Sequence, residues 1–341
     1  MKLYSMCTLS IGLDLLVTIR DHLQGIICLS GGPQKDSISG YMHLEDWCRR
    51  NGIEFIPVDD YSLKSESDKQ TIQNIDIDLL LVNGWQRLIP AWLIKHCKIG
   101  AIGIHGSAYG ITKGRGRSPQ NWALLTGNTK FTVSLFKIDE GIDSGAIIDT
   151  KTIEYNEFDN IRTSYYKIND CVSEMILHLL DDSHFSLQEV LVNQRDTPQY
   201  LPQRYPEDGE IDWARSTKQI HDFVRALTTP YPCAFSHRRD GGKITVISGA
   251  PFSLTSKADD CGKILRQYTG GELLVGTGDG SYLIDSYMVE GPVLHIGEHL
   301  VSVNFTQQLR GIINRHNLRF PNLPVADELI ELANLKGDNN S

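Results

Sequence analysis

No apolar run in this sequence approaches the roughly 20 residues that a membrane-spanning helix requires. Its start, Met1-Lys-Leu-Tyr-Ser-Met6, lacks the charged opening, long apolar core and cleavage site of a secretory signal, so a cytoplasmic protein is expected. Paired cysteines are missing too. The seven cysteines, at 7, 28, 48, 97, 171, 233 and 261, include no Cys-x-x-Cys. An odd, scattered set fits reduced, buried thiols rather than a disulfide framework or a zinc site. No His or Asp cluster has metal-ligand spacing. Positive charge is also short: 33 Lys and Arg stand against 42 Asp and Glu, a net charge of −9. That argues against an extended nucleic-acid surface and leaves room only for a small phosphate-binding patch. Both glycine signatures for phosphate are absent. The first β-α turn, Thr8-Leu-Ser-Ile-Gly12, has no GxGxxG, and GxxxxGK[ST] occurs nowhere.

What remains is an ordinary globular composition, 40% apolar and 22% charged over 341 residues, long enough for two domains. Short apolar strands alternate with helical stretches in the first half. Strands are expected at 2–7, 25–30, 53–58, 78–82 and 100–104, and helices at 11–23, 42–51 and 92–97, the second stopped by Gly52. This order predicts an α/β fold, a doubly wound, mostly parallel sheet. A strand at 131–138, a helix at 120–126, a strand near 152–155 and a long helix at 160–180 follow. The Pro-rich segment 197–206 marks a domain boundary. Beyond it, a helix at 217–227 and short strands at 234–237, 243–248, 262–268, 272–276 and 282–289 predict a small antiparallel β domain. Helices at 305–314 and 327–335 and a frayed tail at 336–341 close the chain. The expected division is therefore 1–200, 201–300 and a helical extension 301–341.

The chain is organised around residues 100–150. A buried run, Gly100-Ala-Ile-Gly-Ile104, delivers His105 into a small-residue turn, Gly106-Ser107. The loop Lys113-Gly-Arg-Gly-Arg-Ser-Pro119 follows. The next strand ends in an acidic turn, Asp139-Glu-Gly-Ile-Asp143-Ser-Gly145. Two strands ending in polar turns suit the ligand crevice of an open α/β sheet, at the carboxyl ends of its strands. Such a layout brings His105 and Asp143 together at one sheet edge.

The combination His105-Gly-Ser107, Gly114-Arg-Gly116 with Pro119 and Trp122, and Gly141-Ile-Asp143 resembles the N10-formyltetrahydrofolate-dependent formyltransferases. Their core reads Asn-x-His-x-Ser, a Gly/Arg/Pro loop, then Asp-x-Gly. The resemblance continues through Gln203-Arg-Tyr-Pro-Glu-Asp-Gly-Glu-Ile-Asp-Trp213 and Arg225-Ala-Leu-Thr-Thr-Pro-Tyr-Pro-Cys-Ala-Phe235, which look like the start of the family's small C-terminal domain. It implies a Rossmann-like formyltransferase fold, His105 as catalytic base and Asp143 as its carboxylate partner. A His-carboxylate pair suits the chemistry, because the attacking amine must lose a proton near neutral pH.

The same resemblance implies that Gly84, Trp85, Gln86, Arg87, Asp139 and Gly141 bind the donor, N10-formyltetrahydrofolate. The acceptor it implies is a nucleotide-linked amino sugar for surface glycans such as a lipopolysaccharide O-antigen, handled by a homodimer. Gly103, Ser107, Tyr109, Arg115, Arg117, Tyr165, Gln203 and Arg204 are the candidates for that acceptor's site. No nucleic-acid or membrane partner is expected. One position departs from the pattern: the family's Asn, two before the His, is Gly103 here. Either the oxyanion site has been rebuilt around glycine, or the chain is a non-catalytic folate- or nucleotide-binding relative. Methionyl-tRNA formyltransferase is the alternative activity.

Overall fold

The computed structural model describes residues 1–335 except 32, 39, 182–190, 254 and 256–259, so the expected tail at 336–341 lies outside the described residues. In chain order the elements are β1 Leu3–Met6, α1 Leu13–Ile19, β2 Leu23–Leu29, α2 Glu45–Asn51, β3 Glu54–Val58, α3 Glu66–Gln73, β4 Leu79–Val82 and α4 Ala91–His96. They continue with β5 Gly100–Ser107, α5 Gly110–Lys113, β6 Arg115–Gly116, α6 Pro119–Leu125, β7 Lys130–Lys137, β8 Ile147–Glu154, α7 Ile161–Asp181 and β9 Tyr200–Leu201. After these come α8 Thr217–Leu227, β10 Ala234–His237, β11 Lys243–Ser253, β12 Ile264–Gln267, β13 Leu273–Gly276, β14 Ser281–Glu290, α9 Phe305–Arg319 and α10 Asp327–Leu332.

The chain forms two compact units. One comprises Met1–Arg115, Thr132–Ile153 and Tyr165–Thr197; the other comprises Gly116–Phe131, Glu154–Ser164 and Pro198–Ser341. The grouping does not follow sequence order, because two early segments belong with the second unit.

In the first unit the sheet order is β3-β2-β1-β4-β5-β7-β8. The five strands from β3 to β5 are parallel, and all four residues of β1 are buried, as expected for strands covered on both faces. Helix α2 ends where Gly52 takes φ +67 and its N–H returns to the carbonyls of Arg49 and Cys48, the left-handed cap that glycine adopts without strain. The strand order reverses between β1 and β4, which places the sheet's ligand crevice outside the carboxyl ends of those two strands.

Two expectations are corrected near the centre. β5 continues through Gly106 and Ser107 instead of ending at Ile104, because both residues keep pairing with Val133 and Thr132 of β7. β7 runs antiparallel to β5, so its carboxyl end lies beside Ile102, at the start of β5. The acidic turn after β7 must therefore fold back along the sheet to reach His105.

The second unit carries an antiparallel sheet in the order β10-β11-β14-β13-β12. Its helix α8 opens on a capping box, with Ser216 and Gln219 exchanging side-chain and backbone hydrogen bonds. Trp213 is fully buried and donates from Nε1 to Ser236 Oγ at 2.8 Å. Segment 116–131 belongs here for a physical reason. Buried Trp122 donates to the Pro202 carbonyl at 3.0 Å, and buried Asn121 donates to that of Ala226 at 2.5 Å. Among the described residues no helix is long and apolar enough to cross a membrane.

Candidate active site

Strand geometry decides which side chains meet. Along β5, Gly103, His105 and Ser107 alternate with buried Ile102 and half-buried Ile104 and so share one face. His105 is 8% exposed. Its Nδ1 stands 3.3 Å from Asp143 Oδ2, and its Nε2 stands 2.7 Å from the Gly114 carbonyl. Each ring nitrogen faces an oxygen: a neutral ring can donate to one of them, a protonated ring to both.

One partner arrives on unusual backbone and the other by lacking a side chain. Asp143 holds φ +48, a left-handed conformation that Asp and Asn tolerate better than most residues. Gly114 comes close because it has no side chain: a Cβ there would lie 1.7 Å from Ser107 Oγ. Ser107 is fully buried and accepts from the Tyr109 N–H at 3.0 Å. It therefore shapes the turn that carries Gly114.

Gly103 sits directly opposite Phe136 in the β5–β7 register. A Cβ at 103 would fall 2.5 Å from Phe136 Cζ and 3.1 Å from Ile138 Cγ1. The space that a side chain at this position would need holds an aromatic ring.

At the switch point, the Thr8 N–H donates to the Gly84 carbonyl at 3.3 Å, and Asn83 Nδ2 donates to the Gly12 carbonyl at 2.8 Å. Gly84 takes φ +77. Trp85 packs edge-on against Tyr61, with ring centroids 4.6 Å apart, and the Gln86 N–H donates to the Tyr61 hydroxyl at 2.8 Å. The Arg87 guanidinium lies 4.9 Å above the same ring. Trp85 Nε1 is buried without a hydrogen-bond partner. In the acidic turn, Asp139 Oδ1 accepts from the Gly141 N–H and from Ser144 Oγ, so this carboxylate holds the turn's shape.

The other sequence candidates divide between the units. Buried Arg115 donates to Gln194 Oε1 at 2.6 Å, while Tyr109 and Tyr165 are half-buried in the first unit. Arg117, Gln203 and Arg204 belong to the second unit. Arg117 is exposed, and its N–H donates to the Leu201 carbonyl. Arg204 is interior: it stacks 5.3 Å from the Trp122 ring and 5.4 Å from Phe223, and burial pushes its guanidinium down to about 10. No group of three or more His, Cys, Asp or Glu among the described residues is placed to hold a metal.

Residues 47–180 match the family described as formyl transferase, and residues 204–294 match formyl transferase, C-terminal domain. This chain belongs to the formyltransferase family. Over 247 residues it is 28% identical to methionyl-tRNA formyltransferase of Thermodesulfovibrio yellowstonii, covering 70% of this chain and 75% of that one. Among solved structures it resembles HypX from Aquifex aeolicus, with TM-score 0.60 and 18% identity over 92% of this chain, and spans 48% of that chain's length. It also resembles an N-formyltransferase from Helicobacter canadensis solved with folinic acid and dTDP-3-aminofucose. There the TM-score is 0.56 at 15% identity, covering 84% of this chain and 100% of that one. At such identities the two solved structures speak for the fold alone.

Three residues of this formyltransferase that the sequence did not single out stand against the candidates. Phe136 closes position 103, Tyr61 organises the loop at Gly84, and Gln194 bonds the Asp143 turn through two carbonyls. An aromatic facing a glycine in a paired strand was the available signal for Phe136. Nothing local pointed to Gln194.

Proposed function

We propose that this formyltransferase moves a formyl group from N10-formyltetrahydrofolate to the amine of a nucleotide-linked amino sugar, with His105 and Asp143 as the catalytic pair. The carrying observation is the 3.3 Å contact between His105 Nδ1 and Asp143 Oδ2 on a nearly buried ring. Asp143 orients the ring and balances its charge when protonated. Nε2 is then the atom that receives the proton of the attacking amine and passes it on, exchanging the Gly114 carbonyl for the reacting group. With Phe136 closing position 103, the oxyanion is met by the protonated ring and not by a side-chain amide.

When bound, the folate supplies an activated formyl carbon on a nitrogen that can depart. The residues present fit it. Gly84 to Arg87 lie at the switch point, and the unpartnered buried Trp85 Nε1 suits a flat ring rich in hydrogen-bonding edges.

An amino-sugar acceptor is favoured over tRNA by charge. The chain carries −9, and three arginines of the second unit are committed inside it. Arg204 keeps guanidinium nitrogens buried, Arg225 pairs with Asp222 at 2.7 Å, and Arg238 bonds Glu298 at 2.7 Å. Binding a tRNA backbone draws on solvent-facing cations. The relation to a methionyl-tRNA formyltransferase keeps that activity as the second reading. The homodimer and the role in surface-glycan synthesis belong to the proposal. The deciding assay incubates protein and N10-formyltetrahydrofolate with a panel of nucleotide amino sugars and, separately, with charged initiator tRNA, following product mass. Formylation of a sugar is expected. Turnover of tRNA alone would assign the second reading, and ligand binding with no tetrahydrofolate released for any amine would mark a non-catalytic relative.

A further inference from the structure

Gln194 lies outside every motif, yet all of its side-chain bonds converge on the two loops that hold His105. Its Nε2 donates to the Asp143 carbonyl at 2.8 Å and to the Gly145 carbonyl at 2.9 Å. Its Oε1 accepts from Thr112 Oγ1 at 2.9 Å and from Arg115 at 2.6 Å. The carbonyl that meets His105 Nε2 belongs to Gly114, the residue immediately before Arg115. The segment bearing Gln194 is itself anchored, since Val192 and Ile147 exchange both backbone hydrogen bonds at 2.8 Å where β8 begins.

From this we infer that Gln194 is a positioning residue for the catalytic pair: one amide locks the Asp143 turn to the Gly114 loop and so fixes the oxygens on both sides of the imidazole. The amide group is suited to the task. It donates two hydrogen bonds from one end and accepts two at the other, and the four partners are two carbonyls and two donors. A carboxylate of the same length would keep the acceptors and turn the donor end into an oxygen facing two carbonyls. Asp143 needs such a lock because its left-handed backbone is not one the residue holds alone. Displacement of a reacting group by about 1 Å can cost on the order of 10²-fold in rate.

This inference rests on the proposed roles of His105 and Asp143, so its test has an arm that needs no acceptor. The ring nitrogens of His105 are followed by ¹⁵N NMR at fixed pH in the full chain, in Gln194→Glu, Gln194→Ala and Asp143→Asn. Both Gln194 variants are expected to move the His105 signals in the same direction as Asp143→Asn. In the transfer assay kcat should fall tenfold or more while KM for the folate donor stays within twofold. His105 signals that coincide with those of the unaltered chain in both variants would overturn the inference. If the Gln194 variants fail to fold, Thr112→Val removes one of the four bonds and should move the signals part of the way; no movement there overturns it equally. A protein that formylates no amine would sink the function proposed above while leaving the NMR comparison decisive for Gln194.

Discussion

Placing a side chain at position 103 tests whether the oxyanion site has lost a part or been rebuilt. Carbon atoms in good contact sit about 3.5–4.0 Å apart. A Cβ at 103 would meet Phe136 at 2.5 Å and 2.7 Å, and Phe136 is itself only 6% exposed. Forcing extra atoms into such packing costs about 1–3 kcal/mol. A well-placed oxyanion donor is worth about 2.7–4 kcal/mol of barrier, but only when it is held rigidly. An asparagine that must push aside a cross-strand ring is not so held. Gly103→Asn and the smaller Gly103→Ala should therefore both lower the urea-unfolding midpoint, and Gly103→Asn should slow transfer. Phe136→Leu combined with Gly103→Ala should recover part of the lost stability, since contacting residues typically couple by about 0.5–3 kcal/mol. Unchanged stability together with a rate gain of tenfold or more in Gly103→Asn would refute this reasoning and mean that the position had simply lost its donor.

His105→Ala should abolish transfer while circular dichroism and the melting point stay close to those of the parent; near-normal turnover would remove His105 from the mechanism. Asp143→Asn keeps a residue type at home in left-handed backbone, so it isolates the charge, and the rate should fall severely; a full rate with an unchanged pH profile would break the proposed pairing. Trp213→Ala empties a fully buried indole and leaves Ser236 without its donor, which should cost about 3–5 kcal/mol in denaturant unfolding. Burial lowers the His221 pKa against the opposing pull of the Glu157 carbonyl. Below the ordinary histidine range the unfolded chain then binds more protons, so stability should fall as pH drops through about 6.5, and His221→Gln should flatten that slope.

The parallel strands were legible because a strand buried on both faces is mostly apolar, as β4 and the start of β5 are and as β1 is apart from Ser5. β8 begins at Ile147, well before the expected strand near 152, because from Asp149 on it alternates half-buried and exposed residues and reads as polar. The reversed direction of β7 leaves no local trace, since an antiparallel partner and a parallel one can carry the same apolar run. At the site, His105 and Asp143 were visible as residue types in a motif. The reason for glycine at 103 lies on the neighbouring strand, and the lock on Asp143 lies at Gln194, beyond the reach of any pattern read along the chain.

The way the two units share the chain bears on how such proteins can exchange parts. A splice just before Pro198 would look like a clean module border, yet it would take Pro202 and Ala226 from Trp122 and Asn121, which lie upstream of it. A transplanted C-terminal unit would have to bring matching residues at 116–131 and 154–164. The second unit is therefore heritable only together with segments embedded in the first half of the sequence, and recombination at a single point would yield chains with an orphaned tryptophan.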